Sequence, residues 1–466
     1  MRTIHRLPPA IALLLAASAA SAEVRLVAID GLSAHDGDRS SETAAPLENG
    51  VGGNMFGGIG SGLAYAGGDV FLALPDRGPN AVPYKPAVSD TTSYIPRFQT
   101  LQLQLRPAPA GDTLPLRLMP RLLETTLLHA PDRLVYGDGS ALGLRNGTPA
   151  LNAVRHTHYF TGRSDAFDPA APSTSALNGR LDPEGIRVAP NGLHVYVSDE
   201  YGPFVYRFNR ITGRRDRAYA LPASFAVPNK SAIGDAEISG NTVGRVANKG
   251  MEGLAISPDG RTLFGAMQSP LLQDGGTDAP YVRIVAIDTA SGATRQYAYP
   301  LSNIGTAAKP KYPTVSEVLA INDHELLVDE RDGKGFGDGS VAAYKRVYRI
   351  DLTGATTVDG LTGAAALAPR AVHKTPFLDM VAALTAHGIA ATDIPAKIEG
   401  MAFGPDVRVD GRMRHTLFIA NDNDFLPTVT DALHPNGAEN PNMFFVFSFD
   451  AADLPGYVPQ RQLGSR

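Results

Sequence analysis

Four times along the chain a glutamate opens a short apolar run, with large hydrophobic residues two and four places later. The runs are Glu184-Gly-Ile186-Arg-Val188, Glu252-Gly-Leu254-Ala-Ile256, Glu317-Val-Leu319-Ala-Ile321 and Glu399-Gly-Met401-Ala-Phe403. Side chains alternate between the faces of a strand, so each glutamate is expected to share a face with its two hydrophobes at the strand's start. A carboxylate there is unfavourable unless something compensates it. When so costly a residue recurs at equivalent points of a tandem unit, the symmetry of the repeat can gather every copy round one axis. The pattern therefore predicts repeated units closed into a ring, with the acids meeting at its hub.

Each run is followed by a turn and a second strand ending in polar residues: His194–Glu200, Thr262–Gln268, Glu325–Arg331 and Thr416–Asp422. Pro190-Asn191-Gly192 and Pro258-Asp259-Gly260 are the residues that tight hairpins demand. Third strands follow at Phe204–Asn209, Tyr281–Asp288, Arg346–Asp351 and Met443–Asp450, and fourth strands near Arg215–Leu221, Thr294–Pro300 and Pro369–Lys374. A degenerate copy, Ser61-Gly-Leu63-Ala-Tyr65, precedes them with serine in the glutamate slot. The glutamates lie 68, 65 and 82 residues apart, enough for four strands and generous loops. The expected fold is an all-β propeller of four-stranded antiparallel blades. Five units are legible, and residues 122 to 181 are read as a worn sixth blade, giving six, or else as an insertion. The last unit lacks a fourth strand while Glu23–Asp30 is a strand without a unit, so the N-terminal strand should close the ring. A short helix is expected at Leu378–His387.

A basic start, a dozen apolar residues and the small Ala20-Ser21-Ala22 site read as a secretory leader, residues 1–22, cleaved near Ala22. Residues 23–466 then form one domain, exported to the periplasm or beyond. No other run has the roughly 18–20 apolar residues of a membrane span. The absence of cysteine removes disulfides, thiolate catalysis and cysteine-ligated metal centres. The 42 basic and 47 acidic residues leave a net charge of about −7 once Arg2 and Arg6 go with the leader, the wrong sign for a nucleic-acid binder. A Walker loop, a dinucleotide-binding glycine pattern and a Gly-x-Ser-x-Gly elbow are all missing. A monomer acting on a small molecule is expected.

An antiparallel hairpin puts the start of its first strand and the end of its second at one edge. If first strands are innermost, Glu184, Glu252, Glu317 and Glu399 face a channel mouth with Asp199 and Asp329. Arg77, Lys249, Arg331 and Lys397 reach the same rim. The starts of the third strands should add Arg97, Arg283, Lys345 and Arg346. Crowded carboxylates raise one another's pKa unless a cation answers them. Oxygen donors without cysteine favour calcium, then magnesium or manganese. The alternative is structural: each glutamate accepts backbone N–H bonds from the next blade or pairs with a neighbouring base.

The set Asp182-Pro-Glu-Gly-Ile186, Ser198-Asp-Glu-Tyr-Gly202, Asn248-Lys-Gly-Met-Glu-Gly253, Glu330-Arg331 and Lys397-Ile-Glu-Gly-Met401 resembles the bacterial phytase-like family, described by the esterase-like activity of phytase. The resemblance runs from about Gly58 to Asp450 and implies an exported, calcium-associated propeller acting on phosphate esters or a related ester. The Glu-Gly openings also look like those of gluconolactonase-type propellers, where such a glutamate ligates the central metal. On this reading Glu184, Glu252, Glu317 and Glu399 bind the metal, Asp199 or Asp329 orients the attacking water, and Arg77, Lys249, Arg331 and Lys397 hold substrate oxygens. A lactonase or carboxylic esterase on the same metal, or a non-catalytic ligand-binding propeller, are the alternatives.

Overall fold

The computed structural model describes residues 24–79, 88–89 and 91–460, so the leader lies outside the described residues. Five antiparallel sheets of four main strands follow one another. Blade I comprises Gly62–Gly67, Val70–Leu74, Arg97–Pro107 and Leu116–Leu127. Blade II is Pro183–Val188, His194–Asp199, Phe204–Asn209 and Arg215–Ala220. Blade III is Met251–Ile256, Thr262–Met267, Tyr281–Asp288 and Thr294–Pro300, and blade IV is Thr314–Ala320, Glu325–Arg331, Lys345–Asp351 and Lys374–Asp379. Blade V comprises Ile398–Phe403, Arg412–Asn421 and Asn442–Phe449, and Arg25–Leu32 pairs antiparallel with the last of these. The first strand of each blade touches the first strand of the next, and that of blade V touches that of blade I, so the ring closes through the N-terminal strand.

The ring has five blades and not six. Part of the stretch read as a sixth blade is the outer strand Leu116–Leu127 of blade I. The rest carries a two-residue ladder, His129–Ala130 with His158–Tyr159, among turns. The fourth strand of blade IV begins at Lys374, where the sequence reading ended it. The helix after it, Met380–Ala386, is capped by Asp379, which accepts the Ala382 N–H at 3.0 Å.

The glycine after Glu184, Glu252 and Glu399 is required by ring closure. A Cβ on Gly185 would lie 2.6 Å from Leu254 Cβ, on Gly253 2.8 Å from Val318 N, and on Gly400 2.9 Å from Gly60 O. Inner strands thus approach backbone to backbone, and only glycine permits it. At one end of the channel the segment Tyr457–Gln460 lies across the last residues of the inner strands, with Val458 N bonded to Ile321 O and Gln460 to Val188 O. Among the described residues the other end, where the inner strands begin, is left open as a cavity.

Candidate active site

Three motif glutamates owe their direction to β-bulges. Strand pairing shifts between Pro183 and Ile186, between Met251 and Gly253, and between Ile398 and Met401, so Glu184, Glu252 and Glu399 each fall inside an irregularity. A bulge re-aims the side chain it contains. The simple alternation expected from sequence is interrupted there, and the three carboxylates turn into the open end of the channel.

Blade IV differs by one residue. Its shift lies between Val315 and Glu317, so Ser316 falls inside it and Glu317 pairs regularly with Asp329. Gly253 packs on Glu317 and Val318 as Gly185 packs on Glu252 and Leu254. Glu317 therefore occupies the place next to the bulge that glycine holds in the other blades, and Ser316 is the counterpart of the glutamates. The Glu317 carboxylate is spent inside the ring. Oε1 accepts the N–H groups of Leu254 (2.9 Å) and Val318 (3.0 Å), and Oε2 is 2.9 Å from Arg187 Nη2. Arg187 also donates to the carbonyls of Leu63 and Val318 across the channel. Burial pushes the Glu317 carboxyl up to about 7, with Arg187 and the two N–H groups pulling it back. Glu317 is thus an inter-blade tie and lies off the cavity.

The cavity at the open end has a volume of about 350 Å³. Six carboxylates line it, those of Asp76, Glu184, Glu200, Glu252, Glu399 and Asp422, with four bases, Arg77, Lys249, Arg331 and Lys397. All four bases expected from sequence are brought together there, and three are already paired. Arg77 Nη1 is 2.8 Å from Asp182, Arg331 pairs with Glu399, and Lys397 lies 2.8 Å from Asp422 and bonds Asp424. Lys249 donates instead to the neutral Gln268 Oε1 at 3.0 Å.

Acid outnumbers base, and the surplus is concentrated on one side. Asp182, Glu184 and Glu200 offer oxygens within 4.8 Å of one another. Burial, then Glu252, Asp182 and Glu200, push the Glu184 carboxyl well above the usual range. Burial and Asp182 push Glu200 up to about 7, although Arg77 and Lys249 oppose this. Glu252 is raised by burial and then by Glu200 and Glu399, and its Oε2 is buried with no hydrogen-bond partner among the described residues. An all-oxygen donor set of Asp182, Glu184 and Glu200, beside the orphaned oxygen of Glu252 and in a cavity where acids outnumber bases, fits a hard divalent cation.

Other expected site residues fall elsewhere. Asp199 faces away from the cavity, where Oδ1 accepts the N–H groups of Asp182 (3.2 Å) and Tyr201 (3.1 Å); its neighbour Glu200 takes the cavity position. Asp329 is buried and does not line the cavity. The third-strand bases are pinned off the cavity: Arg97 by Asp38 (2.7 Å) of the segment before blade I, Arg283 by Asp274 (2.7 Å), Lys345 by Asp332 (3.1 Å) and Arg346 by Asp379 (2.9 Å). Asp76, Glu200 and Asp422 also line the cavity without having been expected as site residues, and two further residues matter beside it. Asp182 stands two before Glu184 in Asp-Pro-Glu, and Arg187 sits between two core residues of an inner strand.

A family model described as phytase-like, esterase-like activity of phytase, matches residues 54–425. A protein of Arthroderma benhamiae described as an uncharacterized secreted protein is 31% identical over 284 residues, 53% of this chain and 51% of that protein. The chain thus spans about half the length of the curated relative it matches. A periplasmic gluconolactonase of Pseudomonas aeruginosa is 12% identical, with 83% of this chain and 88% of that one covered at a TM-score of 0.31. A putative 6-phosphogluconolactonase from Bacteroides uniformis is 11% identical, with 83% and 88% covered at 0.31. The family match runs from just before blade I to the rim turn after the second strand of blade V, and by it this chain belongs to the phytase-like family.

Proposed function

We propose that the protein is an exported, metal-assisted hydrolase of phosphate esters, with the acidic cavity as its active site. The observation that carries this reading is the surplus of carboxylates over bases in one buried-walled cavity, with Glu252 Oε2 left without a hydrogen-bond partner among the described residues. Asp182, Glu184 and Glu200 would hold the cation, for which calcium is the best match to an all-oxygen set. When bound, such an ion neutralises phosphate charge and makes a bound water more acidic.

The chain's own residues supply the rest. Lys249, whose partner is a neutral amide, is the base most available to a phosphate oxygen. Arg331 and Lys397 can divide their N–H donors between their carboxylate partners and a substrate oxygen, and Arg77 stands at the wall of the cavity. Glu252 Oε2 is the acceptor placed to take a proton from an attacking water, the role the sequence reading gave to Asp199 or Asp329. The leader-like N-terminus and a relative described as secreted support export. The protein is taken as a monomer.

The test is turnover of purified protein on a phosphomonoester, an inositol phosphate and a lactone, each with calcium and with chelator. Phosphate release that stops with chelator and returns with calcium is expected. Ring opening of the lactone without phosphate release, or no turnover of any ester, overturns the proposal.

A further inference from the structure

Beside the acidic cavity lies a second one of about 260 Å³, and its charge is reversed. Three arginines line it, Arg77, Arg180 and Arg245, with Glu237 as its carboxylate and the hydroxyls of Ser164 and Ser231 among its walls. Arg245 Nη1 is 2.6 Å from Glu237, and Arg77 is taken by Asp182. Arg180 has less. It donates to the carbonyls of Ser164 (3.0 Å) and Ser231 (3.4 Å) and lies over the rings of Phe167 and Tyr201. Among the described residues the carboxylate within ion-pair reach of it is Glu237, at 3.9 Å and already engaged by Arg245. Among the described residues, three buried guanidinium groups thus have two carboxylates within ion-pair reach.

Buried positive charge in excess is as costly as the buried negative charge next door, and it calls for an anion. Arg77 Nε is buried with no hydrogen-bond partner among the described residues, a second sign that the pocket is incomplete as it stands. Planar guanidinium forks and hydroxyls are the donors that bind tetrahedral oxyanions. The volume of about 260 Å³ falls just below the roughly 300–1,000 Å³ of ligand pockets and suits one anionic group rather than a whole ligand. The two cavities share a wall: Arg77 and Asn248 line both, and the Asn248 carboxamide oxygen accepts from Arg77 Nη1.

We propose that the pocket formed by Arg77, Arg180 and Arg245 binds an oxyanion such as phosphate, and that it receives a second anionic group of a substrate whose ester occupies the acidic cavity. The first half stands on the pocket alone, and the second rests on the function proposed above. Substrates with two anionic groups are then preferred over those with one.

The test titrates the full chain with inorganic phosphate in the presence of chelator, by calorimetry at fixed ionic strength. Binding is expected, weakened about tenfold or more by Arg180→Gln, the loss of one charge-assisted hydrogen bond. Because Arg180 also ties two loops, Gly234→Asp provides an independent variant. Gly234 lines the pocket, a Cβ there meets nothing closer than Ala247 Cβ at 3.6 Å, and no arginine contact is removed. This variant should melt as the parent does and bind phosphate at least about tenfold more weakly. No binding to the chelated parent, or equal binding by parent and Gly234→Asp, overturns the first half. For the second, the ratio of kcat/KM for a bisphosphorylated over a monophosphorylated ester should fall about tenfold in Gly234→Asp, and an unchanged ratio overturns it. Absence of all turnover would sink the active-site reading, and the second half with it, while phosphate binding still decides the pocket.

Discussion

Replacing Glu317 by Gln separates a structural tie from a metal ligand. The amide oxygen of Gln can still accept the Leu254 and Val318 N–H groups, but its NH₂ would face Arg187 Nη2, where a carboxylate oxygen now lies 2.9 Å away. Both side chains are buried, so the change leaves a guanidinium without its counter-charge. Removing one partner of such a pair costs about 3–5 kcal/mol. The burial that raises the Glu317 carboxyl to about 7 offsets part of the pair's attraction, which places the loss near the lower end, about 3 kcal/mol. With an unfolding entropy of about 2.1 cal/mol/K per residue over about 440 residues, that lowers Tm by roughly 3 °C. Urea and thermal unfolding of Glu317→Gln, Arg187→Met and the double variant read this directly. The double variant should fall short of the summed single effects by about 0.5–3 kcal/mol. Cation affinity should be unchanged. A Glu317→Gln protein as stable as the parent but defective in cation binding would refute the assignment.

Gly253→Ala puts a methyl 2.8 Å from Val318 N and should cost about 1–3 kcal/mol in urea unfolding, whereas Gly333→Ala, with nothing within 4 Å, should stay within about 0.5 kcal/mol of the parent. Glu200 and Asp422, both raised to about 7 from ordinary values of 4.5 and 3.8, hold protons in the folded state that the unfolded chain has already released. Stability of the metal-free protein should therefore fall as pH rises through that interval, and calcium should flatten the slope; a Tm of the chelated protein that climbs between pH 5 and 7 would contradict this. Glu252→Gln should lower turnover by about 100-fold or more while the fold melts normally, and full activity in that variant would remove Glu252 as the proton acceptor.

The repeat made the propeller and its closure legible, because strand alternation and turn residues are local signals. The outer strand of blade I gave only a weak local signal, since its exposed positions include the apolar Met119 as well as Arg117 between the buried Leu116 and Leu118. No glutamate motif marks that stretch. In the site, three motifs with a glycine after the glutamate led to cavity carboxylates, and the one followed by Val318 did not. That difference was visible in the sequence. Its meaning was not, because the placement of a bulge depends on how neighbouring inner strands pack. The same one-residue ambiguity separates Asp199, which holds backbone N–H groups, from Glu200, which reaches the cavity. Arg187 was hidden because strand alternation gives core status to Ile186 and Val188 but does not say that the opposite face closes on a channel.

Anomalous diffraction from calcium-loaded crystals of the full chain tests the central claim most directly. A calcium peak about 2.3–2.6 Å from carboxylate oxygens of Asp182, Glu184 and Glu200 is predicted. A calcium-loaded protein whose ion sits elsewhere, with those three carboxylates facing only their arginine, lysine and backbone partners, would contradict it.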